Sequence, residues 1–318
     1  MERDKRLEIP EPVVVTGGAG FLGRAVVQAL GRHGVSSVVV PRSAQYDLVE
    51  PGVAEHLLDT SGAQTVIHLA AVVGGIGANQ LEPGRFFYTN VMMGVQLMHA
   101  AMRQGIARFV SVGTVCSYPK TAPIPFTVES LWSGYPEETN APYGLAKKML
   151  LVMGHAYHQQ YGLQATHLIP VNLYGPGDSF HLEHGHVIPA LIRKCIEAVE
   201  NGTDHIHLWG DGSPTREFLY VEDAAEAIVL ATAHYHDTTP LNLGSGVEVR
   251  IQTLAERIAA EVGFAGELRW DGSRPNGQPR RLVDSSRARK VLGWSPQVPF
   301  AEGLRRTVDW FRTHRGER

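Results

Sequence analysis

One feature near the front of the chain constrains the fold more than any other. The β-branched run Val13-Val14-Val15 leads straight into the turn Thr16-Gly17-Gly18-Ala19-Gly20-Phe21-Leu22-Gly23, and a helix-length amphipathic stretch comes next over 21–33. Glycines permit a tight turn and let backbone N–H groups approach a pyrophosphate, while the helix N-terminus adds a favourable dipole. The spacing reads as G-x-x-G-x-x-G on Gly17, Gly20 and Gly23, and as G-x-G-x-x-G from Gly18. A dinucleotide cradle is expected at Gly17, Gly20, Phe21, Leu22 and Gly23.

The same rhythm continues downstream. Strands are predicted over 38–40, 65–69, 108–112 and 165–173, with long helices over 81–104 and 140–161. Strands alternating with helices argue a parallel sheet covered on both faces, with right-handed crossovers. After Tyr174 the rhythm loosens: helices are predicted over 187–201, 222–236, 251–262 and 300–313, and a strand over 205–209. Glycine- and proline-rich joints fall at Gly175-Pro176-Gly177 and over 271–279. The expected class is α/β: a doubly wound, mostly parallel Rossmann sheet with a smaller C-terminal α/β substrate lobe. Residues 1–173 read as the dinucleotide-binding domain and 174–318 mainly as the substrate lobe, with 218–243 returning to the first.

The choice of dinucleotide turns on the residues just past the second strand, where an acid suits the ribose hydroxyls of NAD and an arginine a 2′-phosphate. Pro41-Arg42-Ser43 stands there, with Asp47 several residues further on. Arg42 favours NADP(H), and Asp47 keeps NAD(H) possible.

Tyr143-Gly144-Leu145-Ala146-Lys147 opens the predicted 140–161 helix. Residues four apart lie on one helical face, so a phenol and an ammonium project together. The positive charge favours phenolate and eases proton exchange, and the same lysine can hold the cofactor ribose. Upstream, the 108–112 strand ends in Gly113-Thr-Val-Cys-Ser-Tyr-Pro119. In an extended segment Thr114 and Cys116 share a face. The hydroxyl can then meet a substrate carbonyl oxygen, and the thiol can exchange a proton with the adjacent carbon, unless it is simply a buried filler.

Composition narrows the partners. The 318 residues carry 29 basic and 32 acidic side chains, a formal charge of -3 with neither sign segregated, which gives no support for nucleic acid or an anionic membrane. Two cysteines, Cys116 and Cys195, make a disulfide framework unexpected. No apolar run reaches membrane-span length, and residues 1–12 lack the apolar core of a secretion signal; a cytoplasmic protein is expected. His181, His184 and His186 cluster in one loop, but without an accompanying set of acids and cysteines no metal is expected.

The glycine loop, Thr114 and the Tyr143/Lys147 pair resemble the extended short-chain dehydrogenase/reductase family. A narrower match is to its branch that epimerises C3 and C5 and reduces C4 of GDP-4-keto-6-deoxymannose. That match is carried by Leu69-Ala-Ala-Val-Val-Gly-Gly-Ile-Gly-Ala-Asn79, Gly113 to Pro119 and Asn140-Ala-Pro-Tyr-Gly-Leu-Ala-Lys147. It extends through Asn172-Leu-Tyr-Gly-Pro-Gly-Asp178, His186-Val-Ile-Pro189, Trp209-Gly-Asp-Gly-Ser-Pro-Thr-Arg-Glu-Phe218 and Leu292-Gly-Trp294. The resemblance implies Tyr143 as proton donor to the C4 oxygen with Lys147 its partner, Thr114 at the catalytic serine position, and Cys116 and His186 as the epimerising pair. It also implies Arg193, Arg216 and Arg281 on the substrate diphosphate, Asn172 and Trp209 near sugar and nucleotide, and a homodimer formed through the two long helices.

The chain departs from that pattern in places. Thr114 replaces serine, the glycine loop lacks an arginine some relatives place there, and the 181–186 loop differs in composition, so a different GDP-keto-sugar is open. A 4,6-dehydratase would place Asp-Glu after Thr114, where Val115-Cys116 stands; a simple 4-epimerase leaves Cys116 and His186 without a task. The remaining alternatives are a 4-reductase or an epimerase alone, and a non-catalytic dinucleotide sensor.

Overall fold

The computed structural model describes residues 7–182, 185–274 and 276–315. Its central layer is a six-stranded parallel sheet in the order β2-β1-β3-β4-β5-β9. These strands are β1 (Val13–Thr16), β2 (Val38–Val39), β3 (Thr65–His68), β4 (Arg108–Val112), β5 (Ala165–Pro170) and β9 (Leu241–Leu243). All residues of β1, β3 and β5 are buried, as strands covered on both faces must be. On one side lie α1 (Phe21–Arg32) and α7 (Val221–His234). On the other lie α2 (Val53–Ser61), α4 (Pro83–Arg103) and α5 (Ala141–Tyr161). The order reverses between β1 and β3, the switch point beyond whose strand ends ligands bind in such sheets.

The remaining strands form two small sheets. β6 (Asn172–Tyr174) pairs parallel with β8 (Thr215–Tyr220), which pairs antiparallel with β10 (Glu248–Arg250). β7 (His205–Trp209) pairs parallel with β11 (Glu267–Asp271). Packed with them are α6 (Val187–Glu200), α8 (Ile251–Val262) and α10 (Phe300–Thr313), around a separate apolar cluster that includes Ile192, Leu254, Ile258 and Val308. A short α9 (Ser286–Leu292) returns against α7 and β9. The buried Glu217 ties the loops together, its carboxylate accepting from the backbone N–H of Gly246 at 2.6 Å and of Val283 at 2.9 Å.

One sequence expectation holds with a shifted start, and two are corrected. The helix predicted over 81–104 is α4, Pro83–Arg103, and a separate short α3 (Ile76–Leu81) stands before it, the two parted by Glu82 at φ -129°, ψ 47°. A proline disfavours α geometry in the residue before it, so the helix starts at Pro83 and not at Leu81. The strand predicted over 165–173 changes sheets at Val171, β5 joining the large sheet and β6 the small one. The segment after Thr114 is not extended; Val115–Ser117 form a 3-10 turn.

Candidate functional site

The cradle matches its sequence. Gly17 lies at φ 71°, a left-handed conformation, and a Cβ there would meet Ala70 N at 2.7 Å; one on Gly23 would come within 2.1 Å of Gly17 O. Both approaches are to backbone, so only glycine lets β1, the turn and α1 close this tightly. Gly17, Gly20, Phe21, Leu22 and Gly23 all line a cleft of about 1070 Å³ that runs across the carboxyl ends of the strands. Arg42 and Asp47 line it at the end of β2. Arg42 is exposed and forms no ion pair among the described residues, whereas Asp47 Oδ1 accepts from Val49 N at 3.0 Å.

Tyr143, Lys147, Thr114, Cys116, Asn172 and His186 line the same cleft. Tyr143 and Lys147 sit one turn apart on α5, both buried, with Phe86 edge-on to the phenol at 6.4 Å between ring centroids. Burial raises the Tyr143 phenol above its usual range, and the charge of Cys116 adds to the effect. Burial draws the Lys147 ammonium down to about 8. Beneath it, the register neighbours Thr16, His68, Ser111 and His167 form a buried polar row across four strands, paired as Thr16 Oγ1 with His68 Nδ1 and Ser111 Oγ with His167 Nδ1, each at 2.8 Å. Both imidazoles are pushed down to about 3, by burial first and by Lys147 second. They stay neutral there and put no second positive charge under the lysine.

The 3-10 turn brings Thr114 and Cys116 together by a different route from the extended one expected. Thr114 Oγ1 accepts from Cys116 N at 3.2 Å, which leaves its own proton to donate into the cleft. The turn rests on α5: Ser117 Oγ donates to Gly144 O at 2.9 Å, and a Cβ on Gly144 would stand 2.3 Å from Cys116 O. Gly144, inside the Tyr143/Lys147 spacing, is what allows the thiol turn and the phenol helix to touch. His186 caps the start of α6, with Nδ1 3.8 Å from Asp178 Oδ1. Burial pulls its imidazole down, but Asp178 outweighs it and leaves the group raised above the ordinary histidine value.

At the far end of the cleft the lining residues include Trp209 and Trp270. Trp209 is 47% exposed, with Arg274 over its ring at 5.1 Å, so it is a surface of the cleft and not part of the core. Arg216 and Arg281 also line the cleft, and burial, then the charge of Arg281, lowers the Arg216 guanidinium to about 9. Arg193 does not line it. Its Nε donates to Glu197 at 2.6 Å and its Nη1 to Phe180 O at 3.2 Å, an i,i+4 ion pair on the other side of α6. The α6 cation in the cleft is Lys194, which sequence reasoning missed. The signal was the helix face, since Val187, Ala190, Leu191 and Lys194 keep to the i, i+3, i+4, i+7 stripe and all line the cleft. No metal-holding group of His, Cys, Asp or Glu occurs among the described residues, of which His184 is not one, and no helix among them is long and apolar enough to cross a membrane.

A dinucleotide cradle and a Tyr/Lys pair opening on one cleft define an oxidoreductase or epimerase of the Rossmann type. The chain belongs to the NAD dependent epimerase/dehydratase family, which it matches over residues 13–244. It is 41% identical to the probable GDP-L-fucose synthase 1 of Oryza sativa subsp. japonica over 94% of this chain and 91% of the relative. It is 36% identical to the GDP-L-fucose synthase of Escherichia coli over 94% and 96% of the two chains. A GDP-L-fucose synthetase of Naegleria fowleri solved bound to NADP superposes with a TM-score of 0.90 at 28% identity, covering 100% of this chain and 98% of that one.

Proposed function

We propose that this chain is an NADPH-dependent epimerase/reductase of a GDP-linked 4-keto-sugar, converting GDP-4-keto-6-deoxymannose to GDP-L-fucose or acting on a close analogue. The observation that carries this reading is the gathering of Tyr143, Lys147, Thr114, Cys116 and His186 along one cleft that begins at the glycine cradle. Relatives named as GDP-L-fucose synthases, and a neighbour solved with NADP, support it.

The cradle residues fit a dinucleotide, because its backbone packs too closely for any Cβ at Gly17 or Gly23. They would hold the pyrophosphate, Lys147 the ribose and Arg42 the 2′-phosphate; Asp47, bonded to the backbone of its own turn, competes little for that place and NADP(H) is preferred over NAD(H). When bound, NADPH supplies the two electrons that reduce the keto carbon.

The side chains do the proton chemistry. A C4 ketone acidifies the C–H bonds at C3 and C5, and inversion needs one group to remove a proton and another to return one from the opposite ring face. Cys116 and His186 are those groups. Asp178 raises the hold of the His186 imidazole on its proton, which suits it to be the returning member. Thr114 donates to the enolate oxygen, and Tyr143, held protonated by burial, stabilises it and then gives its proton to the C4 oxygen. Lys147, one turn on, favours the phenolate that remains. Trp209 and Trp270 offer flat surfaces to a base, Asn172 faces the sugar, and Arg216 and Lys194 take the diphosphate.

The test is incubation of GDP-4-keto-6-deoxymannose in heavy water with and without NADPH. Deuterium should enter C3 and C5 without cofactor, and nicotinamide absorbance should then fall when NADPH is added. Cys116→Ser and His186→Asn should each slow exchange by about 10²–10⁴-fold and still reduce a pre-epimerised substrate. Wild-type enzyme that reduces but never exchanges would be a 4-reductase only, and the epimerase half would be lost.

The same reading includes a homodimer in a reducing, cytoplasmic setting. Both Cys116 and Cys195 are free thiols. α4 and α5 pack on each other and leave Phe87, Tyr88, Met149 and Val152 exposed on their outer faces, apolar surface suited to a second copy. A solution mass equal to two chains is expected; a mass of one chain removes the dimer.

A further inference from the structure

The resemblance assigns Arg281 to the substrate diphosphate, and its guanidinium, which lines the cleft, also reaches the thiol. Nη1 of Arg281 donates to Cys116 Sγ at 3.4 Å, and Nε donates to Gln278 Oε1 at 3.1 Å. Arg281 is 7% exposed and Gln278 3%, and Gln278 Nε2 in turn donates to Lys120 O at 3.3 Å. The guanidinium is thus fixed in direction by packing and by a buried amide, and it meets no carboxylate among the described residues.

The surroundings of the thiol reinforce this. From β8 the second cation, Arg216, feels the charges of both Arg281 and Cys116, and Glu137 acts on it as well. From α5 comes Tyr143, a neutral phenol, and from α3 and α4 the apolar Ala78 and Phe86. Arg281 is buried and Arg216 half-buried, and two neighbouring cations repel each other unless an anion lies between them. Cys116 Sγ lies 3.4 Å from one of them.

We propose that Arg281 is a positioning residue that holds Cys116 as a thiolate, and thereby makes it the member of the epimerising pair that removes the proton. The role rests on the reading of Cys116 given above. In the step it serves, an S–H bond forms as the C–H bond beside the keto carbon breaks, and the electron pair moves onto the keto oxygen as an enolate held by Thr114 and Tyr143. A nearby guanidinium favours thiolate over thiol, and reactive cysteines generally sit in such electropositive surroundings.

The experiment is the pH profile of Cys116 alkylation by iodoacetamide in the full-length chain, with mass spectrometry of the Cys116 peptide as the readout. Cys195 does not compete, since it is fully buried and burial pushes its thiol up to about 11. The wild-type midpoint should lie at least about one pH unit below that of Arg281→Gln, an approximately tenfold difference in rate on the acid side of both midpoints. Arg281→Lys should recover most of the shift, because it keeps the charge. All three should reach the same plateau at high pH and bind NADPH alike, which shows that access and fold are intact. A midpoint shared by wild type and Arg281→Gln overturns the proposal, as does an Arg281→Lys midpoint no lower than that of Arg281→Gln. The assay needs no sugar. An Arg281-dependent midpoint without keto-sugar turnover would therefore sink only the broader function, and turnover with an unmoved midpoint would sink only the role of Arg281.

Discussion

Tyr143→Phe should reduce NADPH-dependent turnover of the keto-sugar by about 10²–10⁴-fold, the range for removing a positioned proton donor, while NADPH still binds. The substitution deletes one oxygen and keeps the ring, so the edge contact with Phe86 survives and the melting temperature should stay close to wild type. The phenol lies at the wall of the cleft, and the histidines below it are neutral and carry no extra proton to give in its place. Proton exchange should suffer as well, because the phenol shares the enolate oxygen with Thr114, but by a smaller factor. Stopped-flow reduction and deuterium incorporation on the same variant separate the two. Reduction at the wild-type rate would remove Tyr143 from the chemistry.

Gly144→Ala should be nearly as damaging although it adds only a methyl group to a residue that touches no substrate. The new Cβ would stand 2.3 Å from the carbonyl oxygen of Cys116, and backbone lies on both sides of the contact, so the turn or the helix must move by roughly an ångström. Misplacing reacting groups by that distance costs on the order of 100-fold. Exchange and reduction should fall together, because the displacement separates the Thr114–Cys116 turn from Tyr143 and Lys147. Gly154→Ala on the same helix is the control: its Cβ would meet a side-chain methyl of Ala165 at 3.1 Å, away from the cleft, and kcat should remain near wild type. Equal kcat in Gly144→Ala and wild type would mean that the turn and helix do not need this contact.

Where sequence reasoning worked, local pattern and global fold pointed the same way. Val13 to Val15, the glycine turn and the first helix are a self-contained unit, and the strand over 108–112 and the helices over 251–262 and 300–313 were read to the residue because their periodicity is uninterrupted. The missed strands β8, β9, β10 and β11 are short or partly polar, and two of them are only three residues long; pairing partners distant in sequence define them, not their own composition. The run over 165–173 is buried or half-buried throughout, so nothing in it marks the change of sheet at Val171. At the site, residue types were legible and directions were not. Arg193 and Lys194 are adjacent and both cationic, and only the phase of α6 decides which one enters the cleft. Arg281 was recognised as important, but its bond to a sulfur 165 residues away in sequence lies beyond any local pattern.

The path of the backbone also limits how this molecule can be divided. β9 and α7 complete the large sheet and its cover, yet they arrive only after the chain has built β6, α6 and β8 elsewhere. A fragment ending near residue 173 would keep the nucleotide cradle but present β5 as an open edge and leave the face beneath α7 uncovered, surfaces that invite self-association. The two halves are therefore stitched through one another, and the enzyme has to be made, folded and engineered as a whole.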